Sequence, residues 1–194
     1  MPTVFEMASY TFFVQQCCLG VFFEYRDFIT WIEEREEYKR VPSPVLKSLE
    51  YMVYGVLVLA INLVGSSHYK VEYTWSDEFV THSLAYRLFY LNFAWWFQRY
   101  FYYTAFLFQT GTVIACGLGY NGRAESTDKD VQMKDPDAKG EHQWDKFMGV
   151  YMFRAETSTN SNDFLRWWNY RVHIWLKYYV SERITGAGNG LTSM

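Results

Sequence analysis

The chain has 194 residues, 18 basic against 21 acidic side chains and a net charge of -3, a balance that argues against nucleic acid as a main partner. Half of its residues are hydrophobic and 21% are aromatic, with 8 Trp, 17 Tyr and 16 Phe, a composition suited to membrane interfaces. The mean hydropathy of -0.19 conceals this, because Tyr, Trp and one hydrophilic loop lower the average.

Taken in chain order, Met7 to Phe23 is an apolar run interrupted by Gln15, Gln16 and Gly20, a weak spanning candidate that also fits a re-entrant or packed segment. No basic n-region or cleavage site of a signal peptide precedes it. Glu24 to Lys47 is polar, and its charge run Glu33 to Arg40 reads as a solvated helical face ended by Pro42 and Pro44. Tyr51 to Val64 is the clearest membrane segment, near the short end of the ~17–25 residues a span needs, with Ser66 to His68 at its end. Residues 69–82 read as a short polar connection. Leu84 to Trp96 and Phe101 to Leu118 are two further apolar runs, separated by Gln98-Arg99, and read as two tilted helices or one broken one. Gly117-Leu-Gly119 reads as a turn at a helix end.

Residues 123–143 carry mixed charges without apolar periodicity and form a hydrophilic loop within a single membrane domain spanning 1–194. Trp144 opens a new ordered region that leads into a helix over Phe164 to Val180. On that helix Arg166, Asn169, His173 and Lys177 fall on one narrow polar face, apart from an apolar face of Leu165, Trp168, Val172, Trp175 and Tyr179. A polar line in so aromatic a helix requires partners or a task. The tail from Thr185 has no packing signal.

Classical site patterns are missing: there is no phosphate loop, nucleophile elbow or His/Cys metal spacing. Cys17, Cys18 and Cys116 lie in apolar runs, an odd count that fits buried free thiols rather than a disulfide framework.

Four stretches in order resemble the membrane-bound O-acyltransferase family, lysophospholipid subgroup. They are Ser9-Tyr10 with Gly20 and Phe23 to Phe28; Gly117-Leu-Gly-Tyr-Asn-Gly122; Trp144-Asp145; and Glu156 with Trp168-Asn169, Trp175-Leu176 and Tyr178 to Arg183. The sequence departs from the family pattern at Val21, where Pro is common, and at Gln109, where Glu is frequent. The resemblance implies an all-α, polytopic integral membrane protein of the endoplasmic reticulum. It implies transfer of an acyl chain from acyl-CoA, as co-substrate, to a lysophospholipid hydroxyl, with no metal or other cofactor. Asn169 stands at the family's active-site Asn, and Trp144, Asp145, Trp168, Trp175 and His173 are expected around the substrate. For Trp144 and Asp145 a structural part at the start of a helix is as good a reading as substrate contact. The family's catalytic His lies in a Trp-His-Gly motif downstream, so this stretch is expected to be the central part of the enzyme and inactive alone. A non-catalytic lipid-binding scaffold, or transfer to a sterol, diacylglycerol or protein, stays open beside that reading.

Overall fold

The computed structural model describes residues 2–15, 22–123 and 141–185. Among these residues every regular element is helical, and the one extended pairing is a single antiparallel bridge between Arg123 and His142. Cys17, Cys18, Gly20 and Val21 lie outside the described residues, as do 124–140 of the hydrophilic loop and the tail beyond Thr185.

The Met7–Phe23 run does not make one helix. The first helix, α1 (Val4–Thr11), begins earlier and is fixed by a capping box in which Thr3 and Glu6 satisfy each other's backbone N–H groups. Helix α2 (Tyr25–Ile32) follows. The charge run after it is no solvated helical face. Glu34 and Glu36 adopt positive φ of 50° and 53°, which turns the chain sharply, and a 3-10 turn over Glu36–Arg40 follows. Glu37 and Tyr38 are thereby buried. Glu37 meets the Lys146 ammonium, and Tyr38 donates its hydroxyl to the Leu118 carbonyl at 2.8 Å. Charge is tolerated there because it is paired.

Two long helices form the frame. Helix α3 (Val45–His68) starts after Pro44, and Val45–Trp75 is the one segment among the described residues long and apolar enough to cross a membrane. A 3-10 turn (Val71–Trp75) and the short α4 (Asp77–Thr81) lead to α5 (Leu84–Ala115), started by the Ser83 cap. The two apolar runs expected on either side of Gln98-Arg99 are one continuous helix of 32 residues. Neither residue breaks a helix by propensity, and Arg99 finds an acidic partner across the bundle.

Helices α3 and α5 pack closely through small residues. A Cβ on Gly65 would lie 2.0 Å from the Phe97 ring, and one on Gly111 would lie 2.9 Å from Met52. Side-chain hydrogen bonds reinforce the crossing: Asn62 donates to the Phe97 carbonyl and Ser48 to the Gly111 carbonyl, both at 2.8 Å. Small residues with interhelical polar contacts are the usual means of holding helices together where apolar burial supplies little.

The 117–119 turn forms as expected. Gly117 takes a φ of 81°, the left-handed conformation of a helix C-terminus. Trp31 donates to the Cys116 carbonyl at 3.1 Å, so α2 docks on the same helix end. Beyond residue 141 the chain folds back through α6 (Met152–Glu156), α7 (Ser161–Trp168), α8 (Tyr170–Leu176), a wide π-type turn over Lys177–Ser181 and α9 (Glu182–Thr185).

Candidate functional site at the Asn169 break

The single helix expected over Phe164 to Val180 is broken at Asn169, whose backbone lies at φ -138°, ψ 70°. The break is built by a non-helical stretch of chain about twenty residues upstream. Tyr151 donates its N–H to the Trp167 carbonyl at 3.0 Å, and Tyr170 donates to the Gly149 carbonyl at 2.9 Å. The backbone groups released by the interruption are satisfied by this docked segment, which such an interruption in an apolar setting requires. Asn169 is thus the C-cap of one helix and the N-cap of the next, with its own carbonyl accepting from His173 N at 2.9 Å. The polar line expected along one helix therefore ends at the break: Arg166 belongs to α7, and His173 to α8.

Among the described residues the Asn169 side-chain amide makes no hydrogen bond. Trp168, just before it, is boxed by rings: Tyr103 at 5.2 Å, Phe164 at 5.7 Å, Tyr102 at 5.9 Å and Phe106 at 6.5 Å between centroids. Below this box lies a polar hub. The Glu156 carboxylate accepts from Tyr103 Oη at 2.6 Å, Arg99 Nη2 at 3.1 Å and Trp96 Nε1 at 3.2 Å. The hub ties α6 to the middle of α5 and fixes the ring that supports Trp168.

His173 is half-buried, one turn after Asn169, on a helix outside the two long ones. Burial, helped by the positive charges of Arg166 and Lys177, holds its imidazole below the ordinary value. Trp175 is six positions beyond Asn169 and projects to another side of α8. It stacks at 6.1 Å on Phe22 and at 5.9 Å on Tyr179, and lines a cavity of about 470 Å³ with Arg171.

Trp144 and Asp145 take structural places. Trp144 is 8% exposed and packs on Tyr120 at 5.2 Å, inside the core formed with α2 and the end of α5. Asp145 accepts from the Asn121 amide at 3.1 Å and so closes the 117–122 turn. Asp145 caps no regular helix. The next residue, Lys146, bridges Asp27 at 3.4 Å and Glu37. Arg171 anchors the same region, donating to the Phe22 carbonyl at 2.7 and 2.9 Å. The sequence did not single out Arg171 or Lys146, because their partners lie about 150 and 109 positions away. Glu156 carried a signal only as part of the family pattern. Among the described residues no cluster of His, Cys, Asp and Glu could hold a metal ion. Two of the four histidines are engaged elsewhere, His82 with the Tyr73 hydroxyl at 3.1 Å and His142 with that of Tyr120 at 2.9 Å.

Among the described residues the fold is all-α and rich in ring contacts, and its family is that of the membrane-bound O-acyltransferases. The chain matches that family over residues 1–194 and belongs to it. It is similar to a lysophospholipid acyltransferase of Saccharomyces cerevisiae, 28% identical over 96% of this chain and 31% of the relative. It is also similar to a membrane-bound acylglycerophosphatidylinositol O-acyltransferase of Danio rerio, at 24% over 92% of this chain and 39% of the relative. Lysophospholipid acyltransferase 5 of Homo sapiens is 22% identical over 97% of this chain and 37% of its own length. The chain thus spans roughly a third of the length of these relatives.

Proposed function

We propose that the gene product carrying these residues moves an acyl chain from acyl-CoA to a lysophospholipid hydroxyl in the endoplasmic reticulum membrane. The observation that carries this reading is the Asn169 break. It presents a side-chain amide with no protein partner among the described residues, beside the ring-boxed Trp168. The names of the relatives support the acyl-transfer class and a lysophospholipid acceptor. In this reading α3 and α5 both span, making the domain polytopic, with the 123–143 loop in water.

Attack of a neutral hydroxyl on a thioester needs a base to take its proton and a donor at the oxygen where charge develops. An asparagine amide cannot take a proton at neutral pH, so Asn169 serves as that donor or orients the base. His173 stands one turn away on α8. Trp168 shapes the wall beside the reacting group. Trp175, with Arg171, lines the separate cavity, where the apolar body of a lipid would lie. Trp144 and Asp145 contribute by holding the 117–122 turn in place. Exclusion of water by the aromatic surround keeps the thioester from hydrolysis.

The test is acyl transfer by membranes carrying the full gene product, given labelled acyl-CoA and a panel of lysophospholipids, sterol and diacylglycerol. Asn169→Ala is expected to lower turnover ~10²-fold or more with little change in melting temperature. Asn162→Ala, at the exposed start of α7, should be silent. Undiminished transfer in Asn169→Ala would return that residue to a packing role. Product on a sterol or diacylglycerol instead would reassign the acceptor.

A further inference from the structure

The cavity of about 470 Å³ beside α8 is lined, among the described residues, by ten side chains, and seven of them carry rings. The other three are an acid, Glu24, a base, Arg171, and Ile174. The rings are held in place by one another and by their polar tips. Tyr10 donates its hydroxyl to the Phe23 carbonyl at 2.8 Å and meets Tyr25 edge-on at 5.6 Å. Phe22, Trp175 and Tyr179 form a stacked row, 6.1 and 5.9 Å between centroids. At the end of that row the Tyr179 hydroxyl donates to Glu24 Oε1 at 3.0 Å.

Both charges keep capacity for a ligand. Among the described residues Glu24 forms no ion pair. A carboxylate accepts about four hydrogen bonds, and Tyr179 and the first turn of α2 use only part of that. Arg171 engages three of its five N–H groups, on the Phe22 carbonyl at 2.7 and 2.9 Å and on the Lys146 carbonyl at 3.4 Å, which leaves two. The charges of Arg171 and Glu24 act on each other without direct contact.

A zwitterion with a bulky cation and a nearby anion matches this lining. A quaternary ammonium requires ring faces and a negative charge and no hydrogen-bond acceptor. A primary ammonium brings three N–H donors, which ring faces leave unsatisfied. A phosphate oxygen is a good acceptor for the remaining N–H groups of an arginine. The reach is also right. Ile174 and Trp175 follow Asn169 by five and six residues, about 7.5–9 Å along a helix. From the nitrogen of choline to the free glycerol hydroxyl of a lysophospholipid is eight bonds, roughly 9–10 Å when extended.

We propose that this cavity holds the phosphocholine head group of the lysophospholipid acceptor, with its trimethylammonium among the rings beside Glu24 and its phosphate toward Arg171. The inference rests on the acyl-transfer reading above and names the head group of the acceptor. Phe22, Phe23 and Ile174 leave apolar wall for the start of the lipid body.

Hexadecylphosphocholine is the probe, because it carries the head group and has no hydroxyl to acylate. Its binding to the full gene product in maltoside micelles is measured by titration calorimetry, beside hexadecylphosphoethanolamine and hexadecyl phosphate. The wild type is expected to prefer the choline ester about tenfold over either. Glu24→Gln, which keeps an acceptor for Tyr179, and Trp175→Leu should each reduce that preference severalfold. Trp75→Leu, at a ring 81% exposed and outside the cavity, should keep it. In acyl transfer Glu24→Gln should raise KM for lysophosphatidylcholine severalfold with kcat and melting temperature little changed. A wild type without the choline preference overturns the inference, as does a preference that survives in both variants. Either result leaves the acyl-transfer reading standing wherever the wild type still acylates a lysophospholipid. Free phosphocholine that binds as tightly as the alkyl ester would make the ligand a soluble choline ester and overturn the acceptor assignment. Choline binding by a wild type that acylates no lysophospholipid overturns the acyl-transfer reading, and the acceptor assignment with it.

Discussion

The Glu156 hub allows the sharpest test of how the site is held. Glu156→Leu keeps the bulk and removes an acceptor that serves three donors, Tyr103, Arg99 and Trp96. Hydrogen bonds to a charged group contribute ~1.5–3 kcal/mol each, so the gross loss is several kcal/mol. The side chains of Glu156 and Arg99 are 24% and 35% exposed, so water or head groups recover part of the loss at the guanidinium. Tyr103 is 0% exposed, and its hydroxyl is left without a partner, at a cost of ~1–3 kcal/mol. A net loss of about 3 kcal/mol follows, which for a chain of this size lowers the melting temperature by roughly 6–12 °C. Glu156→Gln keeps one acceptor oxygen, which can serve Tyr103, but loses the charge and turns its NH2 toward the Arg99 and Trp96 donors, so its drop should be smaller than that of the Leu variant but not negligible. The assay is a melting curve in detergent micelles, followed by intrinsic tryptophan fluorescence. A Leu variant that melts within about 2 °C of the wild type would refute the reasoning, as would a Gln variant that is the worse of the two.

Lys146→Met leaves the 5%-exposed Glu37 side chain without its cation and should cost about 3 kcal/mol or more, with most of it recovered in the double variant with Glu37→Leu, as read by the same melting curves. Gly65→Ala forces the Phe97 ring away from a 2.0 Å overlap and should destabilise by about 1–3 kcal/mol, whereas Ala at the exposed Ser67 should be neutral, again by melting. The protein should stay in the pellet after alkaline carbonate washing of membranes, since Val45–Trp75 is long and apolar enough to span; release as a monodisperse soluble species would refute the membrane reading.

What the sequence determined by itself were the features that depend on near neighbours. The apolar run at Tyr51 to Val64 marks α3, because so apolar a stretch has one favourable place. Gly117-Leu-Gly119 marks the end of α5, because a left-handed residue at a helix terminus favours glycine. The ordered motifs were enough to place the chain in its family. The pattern singled out Asn169, but its backbone setting was not legible in the sequence. Helical periodicity runs unbroken through Phe164 to Val180, and nothing local forces a break there. The tertiary structure decided it, since the Gly149 carbonyl and the Tyr151 N–H compete successfully for the backbone groups of Tyr170 and Trp167. The same holds for the charge run at Glu33 to Arg40, which looks solvated until Lys146 and the Leu118 carbonyl supply partners for Glu37 and Tyr38. Gln98-Arg99 reads as a gap between two helices until Glu156 accepts the arginine from across the bundle. Periodicity records which face a helix buries, but the satisfaction of buried polar groups is a property of chain segments far apart in sequence, and that is where this site is made.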